Sequence, residues 1–261
     1  MNQYNTVFLY GPGHTGKTTC AATFPSPILH IMFDIGGKEL PFLGPGYGTP
    51  VEHTIGSLPV VDVIDKTGNL RSRTEIWSAY PDLEKNPHKI IERLQEPESQ
   101  YKTLVFDSTT TFSKFLLYAS REFINKDWTH GKTVLKHYGL VSEYVGMLMF
   151  NLFPRWNCNR VMISHLRSVD VETNARTEGI GDSMVRVPNL PGQLRGEYTT
   201  QFTEVWRAWV QFTNTVNPKT NTPEITRKYL MQTQPSGQFH AHTSINARDN
   251  HSNIWKEIVK C

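Results

Sequence analysis

One motif near the start constrains this chain more than anything else in it. Gly11-Pro-Gly-His-Thr-Gly-Lys-Thr18 satisfies G-x-x-x-x-G-K-[ST] in full, the pattern of a loop that cradles phosphate. Before it, Thr6-Val-Phe-Leu-Tyr10 is β-branched and aromatic and predicts a strand. After it, residues 17–24 predict a helix that Pro25 and Pro27 stop. Each residue type has a physical reason. Gly11, Gly13 and Gly16 let the backbone curl with its N–H groups inward, a nest for phosphate oxygens. The helix beginning near Lys17 adds the positive end of its dipole. Lys17 can reach the β- and γ-phosphates, and the Thr18 hydroxyl can ligate Mg²⁺. The expected nucleotide-binding set is Gly11, Pro12, Gly13, His14, Thr15, Gly16, Lys17, Thr18 and Thr19.

The rest of the chain suits a fold that such a loop can serve. Ile28–Phe33, Lys102–Phe106 and Arg160–Ser164 are apolar strands ending at Asp34, Asp107-Ser108 and His165. Helical spacing is expected over 87–95, 111–125 and 138–153, with a last helix over 250–259, and Leu58–Ile64 predicts a further strand. Residues 41–50, with six Gly or Pro, and the long stretch from Arg167 to Tyr198 read as loops. Glu204–Phe212 and Arg227–Thr233 predict antiparallel strands joined by the turn-rich 214–223, in which Trp206 and Trp209 belong to the core. Buried strands alternating with helices predict an α/β fold, a mostly parallel central sheet flanked by helices with antiparallel strands near the C-terminus. With no repeat and no linker, a single domain over 1–261 is expected.

Composition enters as a set of exclusions. The chain has 261 residues, 38% hydrophobic and 20% charged, with Gly 18 and Pro 16, which excludes a disordered tail or a collagen-like repeat. Three scattered cysteines, Cys20, Cys158 and Cys261, argue against a disulfide framework or a zinc ribbon. Val145–Phe153 is far short of the ~20 residues of a membrane helix, and the start has no basic region of a secretory signal. A soluble, cytoplasmic protein without membrane contact is expected. The net charge of +3 hides a gradient: residues 1–100 carry 8 basic and 11 acidic side chains, and 101–261 carry 19 and 13. A polyanion would meet the second part, although that excess alone describes an ordinary soluble surface.

Asp107 ends a buried strand at the edge where the phosphate loop opens, the position of an acid that holds a water of the Mg²⁺ shell. A strand-end aspartate capping the next helix is the plainer alternative, and Ser108-Thr109-Thr110 supplies other caps. His240-x-His242 reads as a polar strand face rather than zinc ligands.

In its order of elements the chain resembles RecA-like ATPases, and within them the phage-encoded Sak-type recombination ATPases. The resemblance rests on the loop at the N-terminus, Ser99-Gln-Tyr-Lys-Thr-Leu-Val-Phe-Asp-Ser108, Val161-Met-Ile-Ser-His165, Leu190-Pro-Gly-Gln-Leu-Arg195 and Ala247-Arg-Asp249, and runs from about residue 5 to 250. It implies a RecA-like core that binds and hydrolyses ATP with Mg²⁺, metal at Thr18 and Asp107, His165 as γ-phosphate sensor and Arg248 as an arginine finger or interface cation. It implies nucleotide held between subunits of a ring or filament, single-stranded DNA as partner in recombination, annealing or replication, a single-strand-binding protein as a further partner, and the host cytoplasm as its place. The sequence departs from the family where a catalytic Glu should follow the second strand: Gly36 stands there, leaving Asp34 and Glu39 to orient the attacking water. Arg248 and Asn250 stand where the family has Lys and Arg.

Two basic segments suit single-stranded nucleic acid, cations for phosphate and rings for stacking. They are 126–138, with Lys126, Trp128, Lys132, Lys136, His137 and Tyr138, and the loop with Arg167, Arg176, Arg186 and Arg195. Nearby acidic residues balance these charges, and the resemblance is what favours DNA, since the family lines its DNA path with the loops after the third and fourth core strands. Two other readings stay open. A phosphotransferase would use the same loop with an arginine-bearing lid, and a nucleotide-gated binding module with little hydrolysis would follow from Gly36.

Overall fold

In a computed structural model the described residues are 4–34, 48–55, 58–78, 92–95, 100–124, 134–170, 184–190, 198–217, 220, 222–235, 239 and 241–244. They form a mixed α/β fold around one sheet. The strands are β1 Thr6–Gly11, β2 Ile28–Met32, β3 Thr49–Ile55, β4 Leu58–Ile64, β5 Leu70–Ser78, β6 Thr103–Asp107, β7 Asn159–Asp170, β8 Met184–Pro188, β9 Glu204–Val216 and β10 Pro223–Gln232. The helices are α1 Lys17–Ala21, α2 Thr109–Ile124 and α3 Leu135–Met147. Nine strands run in the order β10-β9-β1-β7-β6-β2-β5-β4-β3, and β8 pairs with β7.

The centre of this order, β9-β1-β7-β6-β2-β5, is parallel throughout. Within it β1, β2 and β6 are buried on both faces, so they read as continuous apolar runs. In β1 the alternation divides two cores. Val7 and Leu9 join Ala21, Phe24, Val161 and Trp206 on the α1 side. Phe8 and Tyr10 join Phe106, Phe112, Leu116, Val141 and Val145 on the α2–α3 side. The aromatic centre of the second core is tight. The Phe106 ring lies 4.4 Å from Phe33, 5.1 Å from Phe112 and 6.0 Å from Phe153, centroid to centroid.

Antiparallel strands occur at both margins, not only near the C-terminus. β9 and β10 form a long ribbon from Arg207↔Gln232 out to Val216↔Pro223. At the other edge β3, β4 and β5 make a meander that the sequence shows only at Leu58–Ile64. Its inward positions in β5 include Ser72 and Thr74, both buried, and polar side chains there leave no hydropathy pattern to find. The expected loop 167–198 is partly a hairpin, because β7 continues to Asp170 and pairs with β8. β8, Met-Val-Arg-Val-Pro, is five residues long and stands among turn-forming residues, and pairing with β7 rather than a local pattern makes it a strand.

Helix ends moved for local reasons. α1 stops at Ala21 rather than residue 24, since the Thr23 hydroxyl and its N–H both donate to the Cys20 carbonyl and compete with the helical ladder. α3 begins at Leu135 rather than 138, where Val134 N donates to His137 Nδ1 at 2.9 Å. His137 is therefore buried, not part of a basic surface. The helical path continues through a π turn at Leu148–Leu152 and a 3₁₀ turn at Phe153–Arg155. Trp206 is fully buried as expected, whereas Phe212 on the outer ribbon is 64% exposed. Of the helix expected over 87–95, residues 92–95 are described, and the one over 250–259 lies outside the described residues. Among the described residues no helix is long and apolar enough to cross a membrane.

Candidate functional site

Parallel strands bring their carboxyl ends to one edge of the sheet. Gly11 of β1 pairs with His165 of β7, Asp107 of β6 with Ile163 of β7, and Met32 of β2 with Asp107. Four segments distant in sequence, ending at Gly11, Asp34, Asp107 and His165, thereby meet at that edge. β7 lies between β1 and β6, so a side chain leaving the loop after β1 must reach across one strand to meet Asp107.

The loop from Gly11 to Gly16 is shaped by backbone constraints at two glycines. A Cβ on Gly11 would lie 2.3 Å from the Ala208 carbonyl of β9, so no side chain fits. Gly16 takes φ +79°, and a Cβ there would also press on the Tyr229 ring at 3.3 Å, a conformation glycine adopts freely. His14 takes the left-handed region as well, at φ 58°. Gly13 has open space above it, as a surface approached by a ligand would. Pro12, Gly13 and His14 are exposed, and Thr15 and Lys17 are buried beneath them.

Lys17, at the first position of α1, points back into the loop. Its ammonium donates to the Gly11 carbonyl at 3.1 Å, to the Pro12 carbonyl at 2.5 Å and to Thr15 Oγ1 at 3.5 Å. Burial pushes its pKa down to about 8, against the pull of Asp107 and Asp34. A cation so poorly hydrated, held by neutral carbonyls, gains much from an anion.

Thr18, one residue on, turns toward β6, and its Oγ1 donates to Asp107 Oδ2 at 2.7 Å. Asp107 is nearly buried and does not cap α2. Ser108 takes that task, its Oγ accepting from Thr111 N at 3.3 Å, which leaves the Asp107 carboxylate to the site. A hydroxyl and a carboxylate in contact are the hard oxygen donors that Mg²⁺ takes, usually alongside waters and substrate phosphates. These two groups fit that ion.

His30 was not anticipated. It sits in the middle of apolar β2, fully buried, with Nε2 3.3 Å from the same Asp107 Oδ2. Its Nδ1 makes no hydrogen bond among the described residues. An ionisable ring inside an otherwise apolar strand was the available signal. Tyr229, whose ring lies over Gly16 from a strand more than two hundred residues away, left no local signal at all.

Asp34 and His165 come together beyond Asp107. His165 Nε2 lies 3.3 Å from Asp34 Oδ2, and Thr111 Oγ1 donates to Asp34 Oδ1. Burial opposes ionisation of Asp34, but hydrogen bonds from His165, Thr111 and Ser108 and the His165 charge outweigh it and hold the carboxyl below its ordinary range. The first turn of α2 fixes the end of β7 here. Thr109 Oγ1 donates to the Ile163 carbonyl at 3.0 Å, and His165 N donates to Thr110 Oγ1 at 2.9 Å.

Other expected residues are not gathered at this edge. Lys136 is exposed on α3. Arg167 and Arg186 stand on the β7–β8 hairpin, paired with Val187 and Ser168. Glu39, Lys126, Trp128, Lys132, Arg176, Arg195 and Arg248 lie outside the described residues, as does His240. His242 contacts the Phe202 carbonyl at 3.0 Å.

A glycine loop between a buried strand and a helix, its lysine turned inward and its threonine on a strand-end aspartate, defines a P-loop nucleotide-binding core. A family profile described as an AAA domain matches residues 3–245, and the chain belongs to that family. It is a nucleotide-binding protein of the AAA class of P-loop ATPases. No curated protein matches the chain.

Proposed function

We propose that this protein hydrolyses ATP with Mg²⁺ and couples the nucleotide cycle to single-stranded DNA in recombination, annealing or replication, in the manner of the phage Sak-type enzymes it resembles. The observation that carries the proposal is the Thr18–Asp107 hydrogen bond of 2.7 Å directly beside the inward-turned Lys17. In this reading Lys17 and the loop N–H groups hold the phosphates, and Thr18 and Asp107 hold the metal. The bound ion would supply charge neutralisation at the phosphates. Asp34, Glu39 and His165 are the groups available to the attacking water and the γ-phosphate, and Arg248 contributes from a neighbouring subunit of a ring or filament.

The DNA part is supported by placement. The segment after α2, with Lys126, Trp128, Lys132 and Lys136, follows β6 and its Asp107 in the chain, and the β7–β8 region, with Arg167, Arg176, Arg186 and Arg195, follows His165. A change at Asp107 or His165 has a short path along the chain to both segments. A single-strand-binding protein as partner and a cytoplasmic location belong to the same proposal.

Steady-state ATP turnover with and without single-stranded DNA tests it. Turnover that DNA stimulates is the expected result. No DNA binding in any nucleotide state rejects the DNA part, and phosphate transfer to a nucleoside monophosphate points to a phosphotransferase instead. The second reading, a nucleotide-gated binding module, is favoured by Gly36 at the usual Glu position and predicts tight ATP binding without turnover.

A further inference from the structure

We propose that His165 is the group that takes the proton from the attacking water, and that Asp34 is the positioning residue that orients its ring. The inference rests on the ATP-hydrolysis reading above and supplies the base that Gly36 leaves missing. Asp34 alone is poorly suited to accept a proton. One of its oxygens accepts from Thr111 and the other faces His165 Nε2 at 3.3 Å, and its carboxyl is held on the ionised side. Those properties are the ones an orienting carboxylate needs. It fixes the tautomer with the proton on Nε2 and stabilises the imidazolium once formed.

That tautomer leaves the lone pair on Nδ1, and among the described residues Nδ1 makes no hydrogen bond. The backbone around the ring is fixed on both sides, with His165 N bonded to Thr110 Oγ1 and its carbonyl accepting from Asn189 N at 2.7 Å. Placement supplies the remaining argument. His165 is paired with Gly11, whose carbonyl holds the Lys17 ammonium at 3.1 Å. Among the described residues the charged groups at this edge are Asp34, which meets the ring, and Lys17 and Asp107, and both carboxylates act on Lys17. The imidazole therefore borders the place where a terminal phosphate meets Lys17, with about a third of the side chain open to solvent.

In the step itself, the water oxygen bonds to the γ-phosphorus as the bond from that phosphorus to the bridging oxygen breaks. The bridging oxygen keeps the electron pair on the departing diphosphate, facing Lys17 and the loop N–H groups. The water proton passes to Nδ1 of His165, and the imidazolium, paired with Asp34, later releases it to solvent.

The test uses the full chain and the variants His165→Gln, Asp34→Asn and the double variant. ATP turnover is read across pH, with nucleotide affinity followed by a fluorescent ATP analogue and folding by thermal melting. General-base loss predicts kcat down about 10²–10⁴-fold in His165→Gln, with nucleotide affinity within about threefold of wild type. Asp34→Asn should show a large share of the same loss, and the double variant no more than His165→Gln, as residues acting in one unit do. The acid limb of the kcat profile should vanish in His165→Gln. Wild-type turnover retained in His165→Gln overturns the proposal. So does loss of turnover in Asp34→Asn with His165→Gln largely active, because Asp34 would then be the base. Losses tracking a fall in melting temperature would show a merely structural tie and overturn it too. Tight ATP binding without any wild-type turnover instead rejects the hydrolysis reading itself, a separate outcome.

Discussion

The parallel centre of the sheet and its antiparallel margins obey different rules. In the centre, β1, β2 and β6 are buried on both faces and almost wholly apolar, and every polar residue that appears there sits at a strand end or, like His30, touches one. At the margins, β3 is exposed along nearly its whole length and the outer half of the β9–β10 ribbon carries Phe212, Val216 and Ile225 open to solvent. The centre is held by burial and ends in chemistry. The margins are held mainly by pairing with a neighbour. Function and stability therefore separate by position along a central strand as well as between regions: the middle of the strand carries the core, its carboxyl end the site.

The largest expected effect sharpens that separation. Lys17→Ala removes the buried ammonium from the loop, and nucleotide binding followed by a fluorescent analogue should fall at least 10²-fold. Thermal melting should not fall, because the cost of burying the ammonium outweighs the attraction of its partners. Phe106→Ala, a few residues into a central strand, should do the reverse. It opens a cavity among Phe33, Phe112 and Phe153 at a cost of about 3–5 kcal/mol, read by denaturant unfolding. Ile225→Ala on the outer ribbon, 66% exposed, should change the same measurement by no more than about 0.5 kcal/mol. Equal losses for Phe106 and Ile225 would break the comparison.

A further effect, smaller than that of Lys17→Ala, is one of pH. Burial lowers the Lys17 pKa to about 8, so the free protein loses the ammonium as pH rises through that value. Nucleotide affinity should then decline above about pH 8, by up to about tenfold per unit, and calorimetry on Lys17→Ala should show no such decline. Folding stability moves in the opposite direction. The cost of burying the charge is fully present below pH 8 and is relieved as pH climbs from there toward the ordinary lysine range.

The same division explains what was legible beforehand. The central strands were readable because burial on both faces writes an unbroken apolar run, and the phosphate loop because its backbone geometry admits few residue types. Asp107 was readable from its place at such a run's end. Strands β3, β5 and β8 were not, because Ser72 and Thr74 fill buried positions and the hairpin at β7–β8 depends on its partner. The pairing of Asp34 with His165 was out of reach for another reason. Each residue stood out alone, but their contact spans 131 positions and exists only because β2 and β7 both flank β6. The link from Gly16 to Tyr229 was hidden in the same way.

The central claim is that Lys17, Thr18 and Asp107 form one Mg²⁺–nucleotide site. Titration of a slowly hydrolysed ATP analogue into wild type and Asp107→Asn, with Mg²⁺ and with a chelator, tests it most directly. Mg²⁺ should strengthen binding about tenfold or more in wild type and have little effect in Asp107→Asn, while chelated binding stays similar in both. Equal strengthening by Mg²⁺ in the two proteins would contradict it.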